Sequence, residues 1–160
     1  MTNIIPWTVL KYVEEEVTRQ GHSLDIFPDG GIRVGWMLYA WEWAVENQNR
    51  LPELQDFKIL GQRVEKVKNA KGFRNCYVMV GMKFVQTTPE QVYDELIELE
   101  KKIKNGGMTP LDIYRAYEEI HPFEDGNGRS GKIILNWLNK SLSSPIFPPD
   151  NFWGRPIRNP

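Results

Sequence analysis

With Cys76 as its only cysteine, this 160-residue chain can form no internal disulfide. A reducing compartment is therefore its natural setting. It also lacks a charge excess: 20 Lys plus Arg stand against 21 Asp plus Glu, a formal charge of −1. That balance argues against a general nucleic-acid or membrane-surface binder, while leaving room for a local basic pocket. No stretch approaches the roughly 20 apolar residues of a membrane span. Residues 1–20 hold Glu14, Glu15 and Glu16 and no apolar run, which is not the pattern of a signal peptide. Repeats and low-complexity blocks are missing too. These absences describe one domain over residues 1–160 that is long enough to bury a core without staples, and is expected in the cytoplasm of its own cell or of a host.

Apolar spacing predicts a mainly α chain. Trp7, Leu10, Val13 and Val17 repeat at helical intervals across residues 6–19. Gly21 ends that pattern, and Pro28-Asp29-Gly30-Gly31 marks a turn. Residues 32–49 carry Trp36, Tyr39, Trp41 and Trp43 with Met37, Leu38 and Ala44, and read as a largely buried helix. An aromatic ligand cage is the sharper reading of those rings; large core side chains are the commoner meaning. Leu51 to Lys68 suits another helix, with Phe57, Leu60 and Val64 on one side. Asn75 to Val85 is β-rich around Gly81 and reads as a short hairpin. Val92, Leu96, Leu99 and Ile103 form a clean helical stripe after Pro89. Thr109-Pro110 opens the next helix, which has two neighbouring apolar rows: Leu111, Tyr114 and Tyr117, and Ile113, Ala116 and Ile120. One more apolar helix holds Ile133, Ile134, Leu135, Trp137 and Leu138. Five prolines make the tail, residues 141–160, extended or irregular. Trp153 and Arg155 in that tail are candidates to pack over the last helix, to close over a bound base or to dock a partner.

Between the last two helices runs His-Pro-Phe-Glu-Asp-Gly-Asn-Gly-Arg-Ser-Gly-Lys, residues 121–132. Gly126-Asn127-Gly128 falls at a helix N-terminus, where unpaired N–H groups and the positive dipole end form an anion site. Glycine lets backbone approach phosphate oxygens without a Cβ clash. Arg129 and Lys132, three residues apart, are expected to share a helix face and reach one polyphosphate. Asp125 is a candidate Mg²⁺ ligand, because that ion keeps several waters and takes only one or two carboxylates plus phosphate oxygens. His121 is the candidate general base for a hydroxyl nucleophile near neutral pH. Phe123 is placed to anchor the loop in the core. Each residue alone has a duller meaning: a structural His, a turn Asp, a solvated Lys or Glu124. The combination carries the argument. Gly126 to Lys132 also fits Gly-x4-Gly-Lys of a P-loop, but Ile133 stands where Ser or Thr is needed, and a helix rather than a buried strand precedes it.

His121 to Arg129 resembles the signature of the Fic family, His-Pro-Phe-x-Asp/Glu-Gly-Asn-Gly-Arg, at nine consecutive positions. The family pattern continues x-x-Arg, and here Lys132 takes that last place, keeping charge but losing the bidentate fork. Gly72-Phe73-Arg74, the hairpin to Val85, and the helices after Pro89 and Thr109 look like further Fic features, so the resemblance spans about residues 30–140. It implies the Fic fold: a compact helical core with a small β-hairpin flap over the active-site loop. It also implies transfer of AMP from ATP to a Ser, Thr or Tyr hydroxyl of a target protein, with Mg²⁺ as cofactor. By resemblance His121 is the base, Asp125 holds Mg²⁺ and Asn127 steadies the α-phosphate. Gly126, Gly128, Arg129 and Lys132 bind the remaining phosphates. The flap, with Arg74, Tyr77, Val78, Val80 and Gly81, docks the target by strand addition. Doc-type toxins carry Lys where Gly128 stands and transfer phosphate, so Gly128 favours nucleotidyl transfer. Other donors such as UTP, phosphate transfer and a catalytically silent peptide-binding module remain the alternatives. Many members carry an inhibitory Ser/Thr-x-x-x-Glu motif that is not found here. A separate antitoxin-like inhibitor, or no restraint at all, is therefore expected.

Overall fold

The computed structural model describes residues 5–26 and 28–152. Trp153 and Arg155 lie outside the described residues. Six α-helices and one small hairpin are present among those described: α1 (Trp7–Arg19), α2 (Asp29–Glu46), α3 (Leu54–Val64), β1 (Met79–Val80), β2 (Lys83–Phe84), α4 (Val92–Asn105), α5 (Pro110–Ile120) and α6 (Asn127–Leu138).

Helix α6 sits at the centre. Ile133, Ile134 and Leu135 are fully buried, and even Arg129, Ser130, Lys132 and Asn136 are withdrawn from solvent. A helix enclosed on nearly every side needs neighbours all round. Helix α2 supplies Met37, Ala40, Trp41 and Ala44, α3 supplies Phe57, Leu60 and Val64, and α5 supplies Ile113, Tyr117 and Ile120. Burying each larger side chain contributes about 1.5–3 kcal/mol before entropy is counted. Helix α4 adds the stripe Val92, Leu96, Leu99 and Ile103 in the register its spacing predicts. Capping boxes define the starts of α3 and α5. Glu53 and Asp56 form a capping box on α3, and Thr109 and Asp112 form one on α5.

Three helices differ from the sequence expectation. The buried face of α1 is Val9, Tyr12, Val13, Glu16 and Val17, whereas Trp7 is 66% exposed. The inward row is set by the i, i+4, i+8 series of valines rather than by the largest side chain. Among the α2 aromatics only Trp41 lies in the core. Tyr39 lies on the surface, where the Arg63 guanidinium stacks 3.8 Å from its ring centre. Helix α3 stops at Val64 instead of reaching Lys68, because the chain turns there and carries Glu65 and Asn69 inward.

The hairpin is shorter than the β-rich segment that predicts it. Met79 pairs with Phe84 and Val80 with Lys83, and Val85 N–H adds a bond to the Val78 carbonyl. All four strand residues are exposed, so no packed face extends the pairing. After α6 the proline-rich segment packs on α1 and α2 as well as on the end of α6. Trp41 Nε1 donates to the Leu142 carbonyl, Tyr12 OH donates to the Ile146 carbonyl, and Tyr12 and Phe147 stack 4.0 Å apart.

Candidate functional site

Thr109-Pro110 starts α5 and aims its C-terminus at the loop that begins with His121. His121 itself caps that helix in the left-handed conformation, φ 51° and ψ 63°, an uncommon setting for a non-glycine residue. Its N–H bonds to the Tyr117 carbonyl, and its Nδ1 lies 3.2 Å from the Glu118 carbonyl. A carbonyl only accepts, so that contact makes Nδ1 the protonated nitrogen and leaves Nε2 as the acceptor. Burial pushes the His121 pKa below its ordinary value, and nearby Arg74 adds to this against the Glu118 carbonyl and Asp125. The ring is therefore neutral near pH 7, as a base must be before it takes a proton.

What holds His121 in this conformation is Arg74. Its guanidinium donates to the carbonyls of His121 at 2.6 Å, Thr87 at 2.6 Å, Cys76 at 2.9 Å and Ile120 at 3.2 Å. Its own N–H bonds to the Pro122 carbonyl. Arg74 is only 5% exposed, which corrects its expected place among the target-docking residues of the flap. The outward flap residues are instead mostly apolar: Tyr77, Met79, Val80, Met82 and Phe84 are all exposed, alongside Lys83.

Phe123 lies in the core at the base of the loop. It is fully buried, and its ring rests on the Cα of Gly61 and against Phe73. Asn127 fixes its backbone from both sides: Oδ1 accepts from Phe123 N–H at 2.8 Å, and Nδ2 donates to the Phe123 carbonyl at 2.9 Å. The Asn127 amide thus acts as an internal clamp in this state. Beyond it, Gly126 sits at φ 77°, and the first intrahelical bond of α6 runs from Ser130 N–H to the Gly126 carbonyl. No side chain caps this helix. The N–H groups of Asn127, Gly128 and Arg129 therefore precede the hydrogen-bond ladder at the positive end of the dipole. The loop can accept an anion through backbone alone.

The two cations of the segment diverge. Arg129 is 1% exposed, its Nη2 lies 3.0 Å from Glu65 and 3.5 Å from Asp125, and its Nη1 donates to the Val64 carbonyl. Lys132 turns towards α1, with Nζ 2.7 Å from Glu16 and 3.2 Å from Tyr114 OH. Their expected common face thus splits between α3 and α1, each cation already holding a carboxylate. Gln20, one turn after Glu16, covers Gly128 so closely that a Cβ there would meet its amide at 2.6 Å. Helix α1 consequently stands over the anion site.

An alternating charge chain reaches Asp125 from the far side. Asp29 pairs with Arg33, which grips Glu65 with two bonds of 3.0 Å; Glu65 holds Arg129; and Arg129 faces Asp125. Asp125 Oδ1 accepts from Gly126 N–H at 2.8 Å, while Oδ2 meets Lys68 Nζ at 2.9 Å. Burial pushes the Asp125 carboxyl up, but Lys68, the Gly126 N–H and Arg129 outweigh it and hold it below its ordinary value. No cluster of three or more His, Cys, Asp or Glu side chains suits a metal among the described residues. A single carboxylate with one outward oxygen, bearing an ammonium there as a stand-in cation, does fit an ion that takes its other ligands from phosphate and water. Sequence reasoning missed Glu16, Arg33, Glu65 and Asn69. The only hint was that Glu16 falls on the valine row of α1 while Glu14 and Glu15 do not.

A helix pair joined by a His-to-glycine loop, with His121 at one helix end and an uncapped start of the next helix, defines the class of domain. The chain belongs to the Fic/DOC family, whose model matches residues 53–139. Members of that family are generally transferases that carry out AMPylation or related nucleotidyl transfer, and some are inactive. No curated protein matches this sequence. Among the described residues no helix is long and apolar enough to cross a membrane.

Proposed function

We propose that the protein transfers AMP from ATP to a Ser, Thr or Tyr hydroxyl of another protein. The observation that carries this reading is His121, with Nε2 as its acceptor, held beside an uncapped helix start whose first N–H groups lack intrahelical partners. His121 Nε2 takes the proton of the target hydroxyl. The freed oxygen forms a bond to the α-phosphorus, the bond to the β-phosphate oxygen breaks, and pyrophosphate leaves. The N–H groups of Asn127, Gly128 and Arg129 receive the growing charge on phosphate oxygens, the kind of preorganised stabilisation that dominates such transfers. Asp125 Oδ2 would hold the Mg²⁺ that neutralises charge on the donor phosphates. Lys132 reaches a phosphate by exchanging Glu16 for it, so restraint of the site has a source within this chain besides a separate inhibitor. The exposed apolar hairpin suits docking of an extended target segment along its free edge.

The test is incubation of wild type and His121→Ala with α-labelled ATP and Mg²⁺, with and without cell lysate. Protein-bound label with wild type alone is the expected result. Equal labelling by His121→Ala overturns the role of His121. An absence of label from α-labelled ATP, together with label from another donor, replaces ATP in the reading.

A further inference from the structure

Lys68 lies in the turn that follows α3, outside the segment 121–132, yet it occupies the outward oxygen of Asp125. This placement is built by the Asn69 side chain. Asn69 is 1% exposed, and its Nδ2 donates to the Asp125 carbonyl at 2.8 Å and to the Gly61 carbonyl at 2.9 Å. The neighbouring residue is thereby stapled to the loop that carries Asp125, which sets the Lys68 backbone within reach of its carboxylate. Meanwhile the other Asp125 oxygen is committed to Gly126 N–H and faces Arg129. Only Oδ2 is open to a further cation, and the ammonium holds it. The pair is half-exposed, 47% for the lysine side chain and 33% for the aspartate. Pairs of that exposure are weak and readily exchanged.

We propose that Lys68 is the placeholder of the divalent-cation site: it neutralises Asp125 while the site is empty and yields Oδ2 when the ion arrives. This inference rests on the reading of Asp125 as the cation ligand. An ammonium released there stays tethered beside the site through Asn69, where it adds positive charge for a polyphosphate. Removal of Lys68 therefore acts in opposite senses on the two ligands: cation binding strengthens and nucleotide binding weakens.

The probe is Mn²⁺ alone, titrated into the full chain and followed by paramagnetic broadening of the His121 ring protons, with the His22 ring as internal reference. Lys68→Met should bind Mn²⁺ roughly two- to fivefold more tightly than wild type, the factor that corresponds to a surface ion pair. Lys71→Met removes the same charge from the same turn with no ion pair to Asp125 and should change affinity less. Asp125→Asn should abolish the His121 broadening. A non-hydrolysable ATP analogue should bind Lys68→Met more weakly than wild type. If Lys68→Met and wild type bind Mn²⁺ equally while Asp125→Asn loses it, the placeholder role is overturned and the cation site stands. If broadening does not depend on Asp125 in any variant, the site assignment falls and this inference with it.

Discussion

Gly61→Ala sets two physical effects against each other. Gly61 lies inside α3, where alanine is the better helix former by about 1 kcal/mol. Propensity alone therefore makes the variant more stable. Packing reverses the sign. A Cβ at Gly61 would fall on Cζ, Cε1 and Cε2 of Phe123 together, closer than real Cβ atoms come to any neighbour. That ring has little freedom to retreat: it is fully buried, Phe73 packs beside it, and Asn127 clamps the Phe123 backbone at both N–H and carbonyl. Overpacking a tight core costs about 1–3 kcal/mol, and the absence of slack places this site at the upper end. Subtracting the propensity gain leaves a net loss of about 2 kcal/mol. For a chain of this size that is a fall in Tm of about 4–8 °C. Urea unfolding followed by far-UV circular dichroism reads the change, with a constant slope expected. A double variant adding Phe123→Leu should show non-additivity of about 1 kcal/mol or more, since removing ring atoms relieves the clash. A Gly61→Ala protein as stable as wild type, or a purely additive double variant, refutes the argument.

Two further outcomes follow from the buried charges. Burial pushes the Glu118 carboxyl from 4.5 up to about 7, with Lys132 opposing and Glu16 reinforcing that shift. The folded state then holds this proton more tightly than the unfolded chain, so the contribution is intact below pH 4.5 and is lost as pH rises towards about 7. Glu118→Gln should gain stability relative to wild type across that window, and parallel unfolding curves at all pH values would disprove it. Glu16→Gln removes the carboxylate that competes for Lys132 at 2.7 Å. A non-hydrolysable ATP analogue should bind this variant more tightly by calorimetry, while its stability falls by about 1–3 kcal/mol. Unchanged or weaker binding would exclude Glu16 as a competitor of phosphate.

Much of the helical frame was legible because single-turn physics wrote it. The α4 stripe, the Thr109-Pro110 start of α5 and the Phe57, Leu60 and Val64 face of α3 are local signals, and tertiary structure agrees with them. The segment 121–132 was legible for another reason: its residue types answer to a backbone conformation and an anion, both of which are properties of the loop itself. Partners supplied from afar were not legible. Glu16 meets Lys132 across the fold, Glu65 bridges Arg33 and Arg129, and Arg74 reaches the carbonyls of Thr87, Ile120 and His121. Nothing within a turn of any of these residues encodes the pairing. The hairpin was over-read because β-rich composition speaks of side-chain type, whereas strand length depends on a packed face that Met79, Val80, Lys83 and Phe84 do not have.

Arg74 also gives the hairpin a mechanical character. Cys76 and Thr87 mark the two feet of the flap, and one guanidinium ties both to the carbonyl of His121. The flap is thus a lever with a riveted fulcrum, and the His121 backbone is held by the same rivet. Through Arg74, a segment bound along the exposed tip has a direct hydrogen-bonded connection to the left-handed backbone of His121. In the proposed reaction, target docking and proton abstraction would share one support.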